Sequence, residues 1–180
     1  MPDDAADPPE PQAGFVRSLE PVESALDLGC GDGRLAGLVR ARELTLADVS
    51  ALALERAARR VPAATHVELS PDAPVPFAES SFDLVLCAET IEHVRDVQLL
   101  LSEVRRVLRP GGTLALTTPA HGRRDALAIA ARGFERRFDP LSPHLRFLTR
   151  RSLRDLLDAM GFAVASLRRS GQTLLAVATR

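Results

Sequence analysis

From about residue 24 to residue 117, short apolar runs alternate with segments of helical period, and this constrains the fold more than any other feature. Ser24–Leu28, Leu44–Asp48, His66–Leu69, Phe82–Cys87 and Thr113–Thr117 read as strands, the fourth buried on both faces. Leu35–Val39, Ala51–Arg60 and Val97–Leu108 read as the intervening helices. Pro62 stops the second, and Arg109-Pro110-Gly111-Gly112 ends the third with turn chemistry. Strands alternating with helices imply right-handed crossovers and a parallel sheet.

Beyond Pro119 the pattern changes. Residues 122–138 look helical and arginine-rich. Thr149 is an expected N-cap for a helix through Met160, closed by Gly161. Phe162–Leu167 and Thr173–Ala178 read as strands, and Arg168 to Gln172 is too short for a helical crossover. They should form an antiparallel hairpin. The expected fold class is therefore α/β: a Rossmann-like three-layer sandwich on a seven-stranded, mostly parallel sheet with a C-terminal antiparallel hairpin. Residues 1–13, rich in proline and acids, are expected to be a disordered tail, and 14–180 one domain in which Phe15–Leu19 packs as a short turn.

Composition excludes several classes. The chain has 180 residues, 46% hydrophobic and 26% charged, enough for one core. No apolar run nears the ~18–20 residues that span a bilayer. The acidic opening Met1–Asp4 has no apolar stretch behind it and does not read as a secretory signal. Two cysteines, Cys30 and Cys87, make neither a disulfide scaffold nor a four-cysteine zinc site, so a reducing cytoplasm is the expected compartment. All 23 basic residues are arginine, with eleven set against nineteen acids before residue 121 and twelve against five acids after it. An arginine-rich final third reads either as solvated helix faces or as a surface toward an anionic substrate.

Asp27-Leu28-Gly29-Cys30-Gly31-Asp32-Gly33 lies between the first strand and first helix. Glycines there let a ligand approach the main chain, at the place where open parallel sheets bind ligands. The third glycine comes one residue early for a dinucleotide fingerprint, and position 34 is Arg. Asp27 and Asp32 are poor company for a pyrophosphate but suit a ligand with a cationic amino acid end. Asp48 closes the second strand, where a carboxylate accepts from ribose hydroxyls.

These residues resemble the first motif of class I S-adenosylmethionine-dependent methyltransferases, of the type 11 and 12 kind. The resemblance continues through Pro76 to Asp83, Glu92-His93-Val94, Leu108 to Gly112, and Leu153 to Phe162. It implies S-adenosylmethionine as cofactor. Asp27 and the backbone of Gly29, Cys30, Gly31 and Gly33 would meet its methionine end. Asp48 and Val49 would meet its ribose, Asp72 and the Ala73 amide its adenine, with Cys87 and Glu89 also at the pocket. Asp72 lies one residue nearer the Pro-Phe pair than the family pattern places its acid.

Glu89-Thr90-Ile91-Glu92-His93 should follow the fourth strand, beside the expected sulfonium. Glu89, Glu92 and His93, with His144 farther on, are similar to the ligand set of metal-dependent O-methyltransferases. That similarity implies Mg²⁺ or another divalent ion. Without metal, His93, His121 or His144 is the expected base, with Glu92 beside it, since an imidazole titrates near 6.5. The expected partner is a small-molecule acceptor, anionic or bearing vicinal hydroxyls. An RNA 2′-O-methyltransferase is the alternative, favoured by the sequence around His144 and the arginine-rich end. Against it, only Phe134 and Phe138 interleave with Arg123, Arg124, Arg136 and Arg137. A cofactor-binding module without catalysis is the third reading.

Overall fold

The central strands of the sheet bury side chains on both faces, and different helices cover each face. The computed structural model describes residues 7, 10–71, 73–133 and 143–180. Its strands are β1 (Val22–Leu28), β2 (Ala41–Asp48), β3 (Thr65–Glu68), β4 (Phe82–Ala88), β5 (Leu108–Pro119), β6 (Ala163–Ser170) and β7 (Thr173–Thr179). Its helices are α1 (Gln12–Arg17), α2 (Ala51–Arg60), α3 (Val97–Val107), α4 (Arg123–Arg132) and α5 (Arg150–Ala159). No described helix is long and apolar enough to cross a membrane.

The sheet order is β3-β2-β1-β4-β5-β7-β6. β1 to β5 pair in parallel, and β7 runs antiparallel to both β5 and β6. This is the expected Rossmann-like architecture with its terminal hairpin. On one face Leu26, Val85, Cys87, Leu114 and Leu116 pack with Leu101 and Val104 of α3 and Leu153 and Leu157 of α5. On the other, Ala25, Leu84, Leu86 and Ala115 meet Phe15 and Val16 of α1, while Leu46 meets Ala57 of α2. Truncating any of these leucines to alanine should cost about 2–5 kcal/mol.

Local signals set the element ends. The Ser50 hydroxyl accepts the Ala53 amide at 3.3 Å and starts α2. The Asp96 carboxylate accepts the Leu99 amide at 2.9 Å and starts α3. Thr149 accepts the Ser152 amide at 3.1 Å and starts α5, which closes before Gly161 at φ +79°. Two expectations are corrected. Leu35–Val39 forms only a 3-10 turn over Ala36–Leu38, because Gly37 weakens a helix there and β2 begins at Ala41. The tail does not reach residue 13: Gln12 and Ala13 are already buried in α1, Ala13 at 1% exposure, because that helix packs its apolar side beside β7.

Strand order reverses between β1 and β4, so the chain leaves these neighbours in opposite directions. The crevice at their C-terminal ends is where an open α/β sheet takes a ligand.

Candidate active site

β1 delivers the chain into its bend with Gly29 at φ +78°. A Cβ on Gly29 would sit 2.5 Å from the Thr90 side chain, so only glycine fits. Gly31 borders open space, and its amide donates to Asp48 Oδ2 at 2.8 Å. Asp48 Oδ1 accepts the Ser50 amide at 2.9 Å. Each of these oxygens keeps acceptor capacity for a ligand hydroxyl.

The loop's two acids differ. Asp32 is paired with Arg34 at 2.7 Å and with Arg60 at 3.7 Å, so it is not available to a cationic ligand. Asp27 is 2% exposed and has no ion pair among the described residues. Burial, with the Asp48 charge adding to it, pushes its carboxyl up to about 7.

A cleft of about 560 Å³ opens above the ends of β1, β2 and β4. That is a usual size for a small-molecule site. Gly29, Gly31, Asp48, Glu89, Thr90 and His93 form its polar end. Val49, Leu69, Ala73, Val75, Leu99 and Leu100 form an apolar slot.

Where β4 leaves the sheet, Glu89 takes φ +51°, an unfavourable conformation for a side-chain-bearing residue. Two bonds hold it there: its amide donates to Thr117 O at 2.9 Å, and Thr117 Oγ1 donates to Glu89 Oε1 at 2.8 Å. Glu92 turns inward, 1% exposed, and accepts the Thr118 hydroxyl at 3.0 Å. Burial foremost, and the Glu89 charge as well, raise its pKa above the usual carboxylate range. His93 Nδ1 lies 3.1 Å from Pro143 O, and Nε2 lies 3.9 Å from Glu92 Oε1. The His144 ring meets that of His93 edge-on, centroids 4.8 Å apart.

Of the residues expected at the cofactor, Gly29, Gly31, Asp48, Val49, Ala73 and Glu89 border the cleft. Asp27 is buried and does not border the cleft, nor does Gly33, which packs against Ala57 of α2. Cys30 turns its side chain into the packing around Ala36 and Leu46, and burial raises its thiol pKa, which leaves the expectation for its backbone untouched. One expectation needs correction. Cys87 is fully buried in the core, its thiol pushed up to about 12, because alternation along β4 points it beneath α3 and α5. Asp72, Phe134, Arg136, Arg137 and Phe138 lie outside the described residues, as do the side chains of Arg123 and Arg124.

Of the expected base and metal residues, His93 and Glu89 border the cleft, while Glu92 and His144 do not. Glu92, His93 and His144 bring one donor atom each within 4.8 Å of one another. Glu89 is not in that group, which corrects the four-residue metal set, because its bond to Thr117 draws it to the cleft side. His121 packs edge-on against Phe147, centroids 5.1 Å apart, and does not border the cleft. Cleft-lining residues that the sequence reading missed include Thr90, Leu69, Val75, Leu99, Leu100 and Glu103. Leu99 carried a signal: it is apolar yet falls outside the core period of its helix.

A family model described as a methyltransferase domain matches residues 26–116. The malonyl-[acyl-carrier protein] O-methyltransferase of Enterobacter lignolyticus is 35% identical over 138 residues, covering 75% of this chain and 53% of that protein. Its Salmonella typhimurium namesake is 39% identical over 101 residues, covering 55% and 40%. The chain thus spans about half, or less, of the length of these curated relatives. Among solved structures, a SAM-dependent methyltransferase from Methanosarcina mazei superposes with a TM-score of 0.70 at 21% identity, over 97% of this chain and 99% of that one. That last likeness is one of fold.

Proposed function

The chain belongs to the S-adenosylmethionine-dependent methyltransferase family, and on that premise we propose that it methylates an oxygen of a small-molecule acceptor, with His93 as the base. The apolar slot suits the adenine, and Asp48 suits the ribose hydroxyls. The bend at Gly29 and Gly31 suits the methionine end. Asp27 behind it, buried and without an ion partner among the described residues, suits the ligand's ammonium.

One observation carries the base. A carbonyl oxygen only accepts, so His93 Nδ1, 3.1 Å from Pro143 O, holds the ring's proton. When the ring is neutral its lone pair is then on Nε2, and His93 borders the cleft. A hydroxyl acceptor gives its proton to Nε2 as its oxygen bonds the methyl carbon. Bound S-adenosylmethionine would supply that methyl group, with the electrons of its carbon–sulfur bond leaving on sulfur as a neutral thioether. The Glu92 carboxylate, 3.9 Å from Nε2, stabilises the imidazolium that forms. The relatives named malonyl-[acyl-carrier protein] O-methyltransferase support oxygen as the accepting atom.

A metal-assisted version has its own support in the Glu92, His93 and His144 donors, a carboxylate and two imidazoles that fit a divalent ion. Such an ion, when bound, supplies Lewis acidity that lowers the acceptor's pKa. The two versions exclude each other, because His93 Nε2 cannot both ligate and accept a proton.

Labelled methyl transfer to catechols, hydroxy acids, acyl thioesters and short RNAs, with and without EDTA, tests the proposal. The expected product is a methyl ether formed in EDTA, with the rate cut about 10²–10⁴-fold in His93→Ala and cofactor affinity kept within threefold. Rates lost to chelator and restored by Mg²⁺ or Mn²⁺ would replace the base with the metal. A methyl ester formed equally well by His93→Ala would remove the base role, since a carboxylate is already ionised. RNA methylation that weakens steeply with salt would move the acceptor class.

A further inference from the structure

We propose that Glu103 and Arg106 are positioning residues that set the width of the apolar slot and so the affinity for the nucleoside part of the cofactor, an inference that rests on the cofactor reading above. Among the described residues the connection between β3 and β4 contains no helix or strand, yet it supplies Leu69, Ala73 and Val75 to the lining of the cleft. An irregular segment against a packed helix must place its backbone polar groups somewhere. Here one ion pair takes three of them. Glu103 Oε2 accepts the Val75 amide at 2.9 Å. Arg106 Nη2 donates to Val75 O at 3.1 Å, and Nη1 donates to Phe77 O at 2.7 Å.

The pair is itself a two-point fork. Arg106 Nε meets Glu103 Oε1 at 2.8 Å, and Nη2 meets Oε2 at 2.7 Å. Such planar pairs fix direction as well as distance. Glu103 is 8% exposed and itself borders the cleft. Both residues lie on α3, Glu103 one turn and Arg106 two turns beyond Leu99, which with Leu100 also lines the slot. The fork thereby ties the β3–β4 connection to α3, and both of these line the slot. Phe77, held by Arg106, also packs edge-on against Phe82, centroids 5.2 Å apart, which carries the tie into the core. A flat heterocycle between two walls loses contact on one side if they part by even half an ångström.

The test is calorimetric titration of the whole chain with S-adenosylhomocysteine and with methylthioadenosine, which lacks the amino acid end. Glu103→Ala and Arg106→Lys should each weaken both ligands at least tenfold and by the same factor, because the loss lies at the shared nucleoside. Lysine keeps the charge but cannot reach both carbonyls and the carboxylate, so it does not rescue. Arg109→Ala, which breaks the Asp83–Arg109 pair at the opposite end of the sheet, is the control and should bind both at wild-type strength. Variants that melt cooperatively but bind as wild type would overturn the proposal. So would an Arg109→Ala protein weakened as much as the other two, which would mark a general loss of stability. If Glu103→Ala fails to fold, Arg106→Lys decides alone. A wild-type chain that takes up neither ligand fails the cofactor reading instead.

Discussion

Asp27 and Asp83 stand on neighbouring parallel strands, toward opposite ends of the sheet, and their surroundings could hardly differ more. Asp83, low on β4, accepts the Ser24 amide and the Ser24 hydroxyl, both at 2.9 Å, and the Arg109 guanidinium at 2.6 Å. Burial pushes its pKa up, but these bonds outweigh it and hold the carboxyl below the usual range. Asp27, at the top of β1, is more buried and has no such partners among the described residues, and its pKa is raised to about 7. One end of the sheet spends its carboxylate on the fold. The other keeps one in reserve at a cost in stability, and such a site is a functional candidate on physical grounds.

The comparison breaks most sharply at Asp27. Its raised pKa means the native state holds a proton that the unfolded chain releases near pH 3.9. Stability from this group is therefore full below about pH 4 and falls as pH rises toward 7, by at most about 4 kcal/mol. Asp27→Asn should raise the melting temperature of the ligand-free protein at pH 8, with little gain at pH 4. The same substitution should weaken S-adenosylhomocysteine more than a hundredfold in calorimetry. A variant no more stable at pH 8 than wild type would show that Asp27 has a partner in solution.

Gly29→Ala is the next step down. The added Cβ meets Thr90 at 2.5 Å in a left-handed backbone, so binding should fall about tenfold to a hundredfold and stability by about 2 kcal/mol. Thr90→Ala in the same chain should recover part of both losses. No recovery would place the defect in the backbone angle rather than in the contact.

The sequence made the sheet readable because strands and caps are local. Ser50 and Pro62 bracket α2 at its observed ends, and Thr149 with Gly161 bracket α5. Leu35–Val39 misled because a short apolar stretch has helical period whether or not the next strand leaves it room. The site was legible where it depends on backbone, as at Gly29 and Gly31, or on a strand end, as at Asp48. It was not legible where it depends on which way a side chain turns. Cys87 and Glu89 are two residues apart, and the left-handed turn at Glu89 sends only the second toward the cleft. The bonds from Glu103 and Arg106 to Val75 span about thirty positions and left no local mark.

The smallest expected effect lies at Asp83, and its sign is opposite to that at Asp27. A depressed pKa gives stability that is present above the unfolded value near 3.9 and is lost as pH falls through the lower folded value. Asp83→Asn should therefore lower the melting temperature at pH 7 and bring a shallower acid transition. Arg109 is nearly half exposed and its ion pair is screened, so the loss should be about 1–2 kcal/mol, most of it from the two bonds to Ser24. Affinity for S-adenosylhomocysteine should stay within twofold of wild type, since Asp83 does not border the cleft. The two aspartates then form a double dissociation: one substitution stabilises the fold and removes binding, the other destabilises it and leaves binding alone. An Asp83→Asn chain with impaired binding at full stability would show that the two ends of the sheet are coupled along β1 and β4, which already exchange ladder bonds from Ala25 to Asp27.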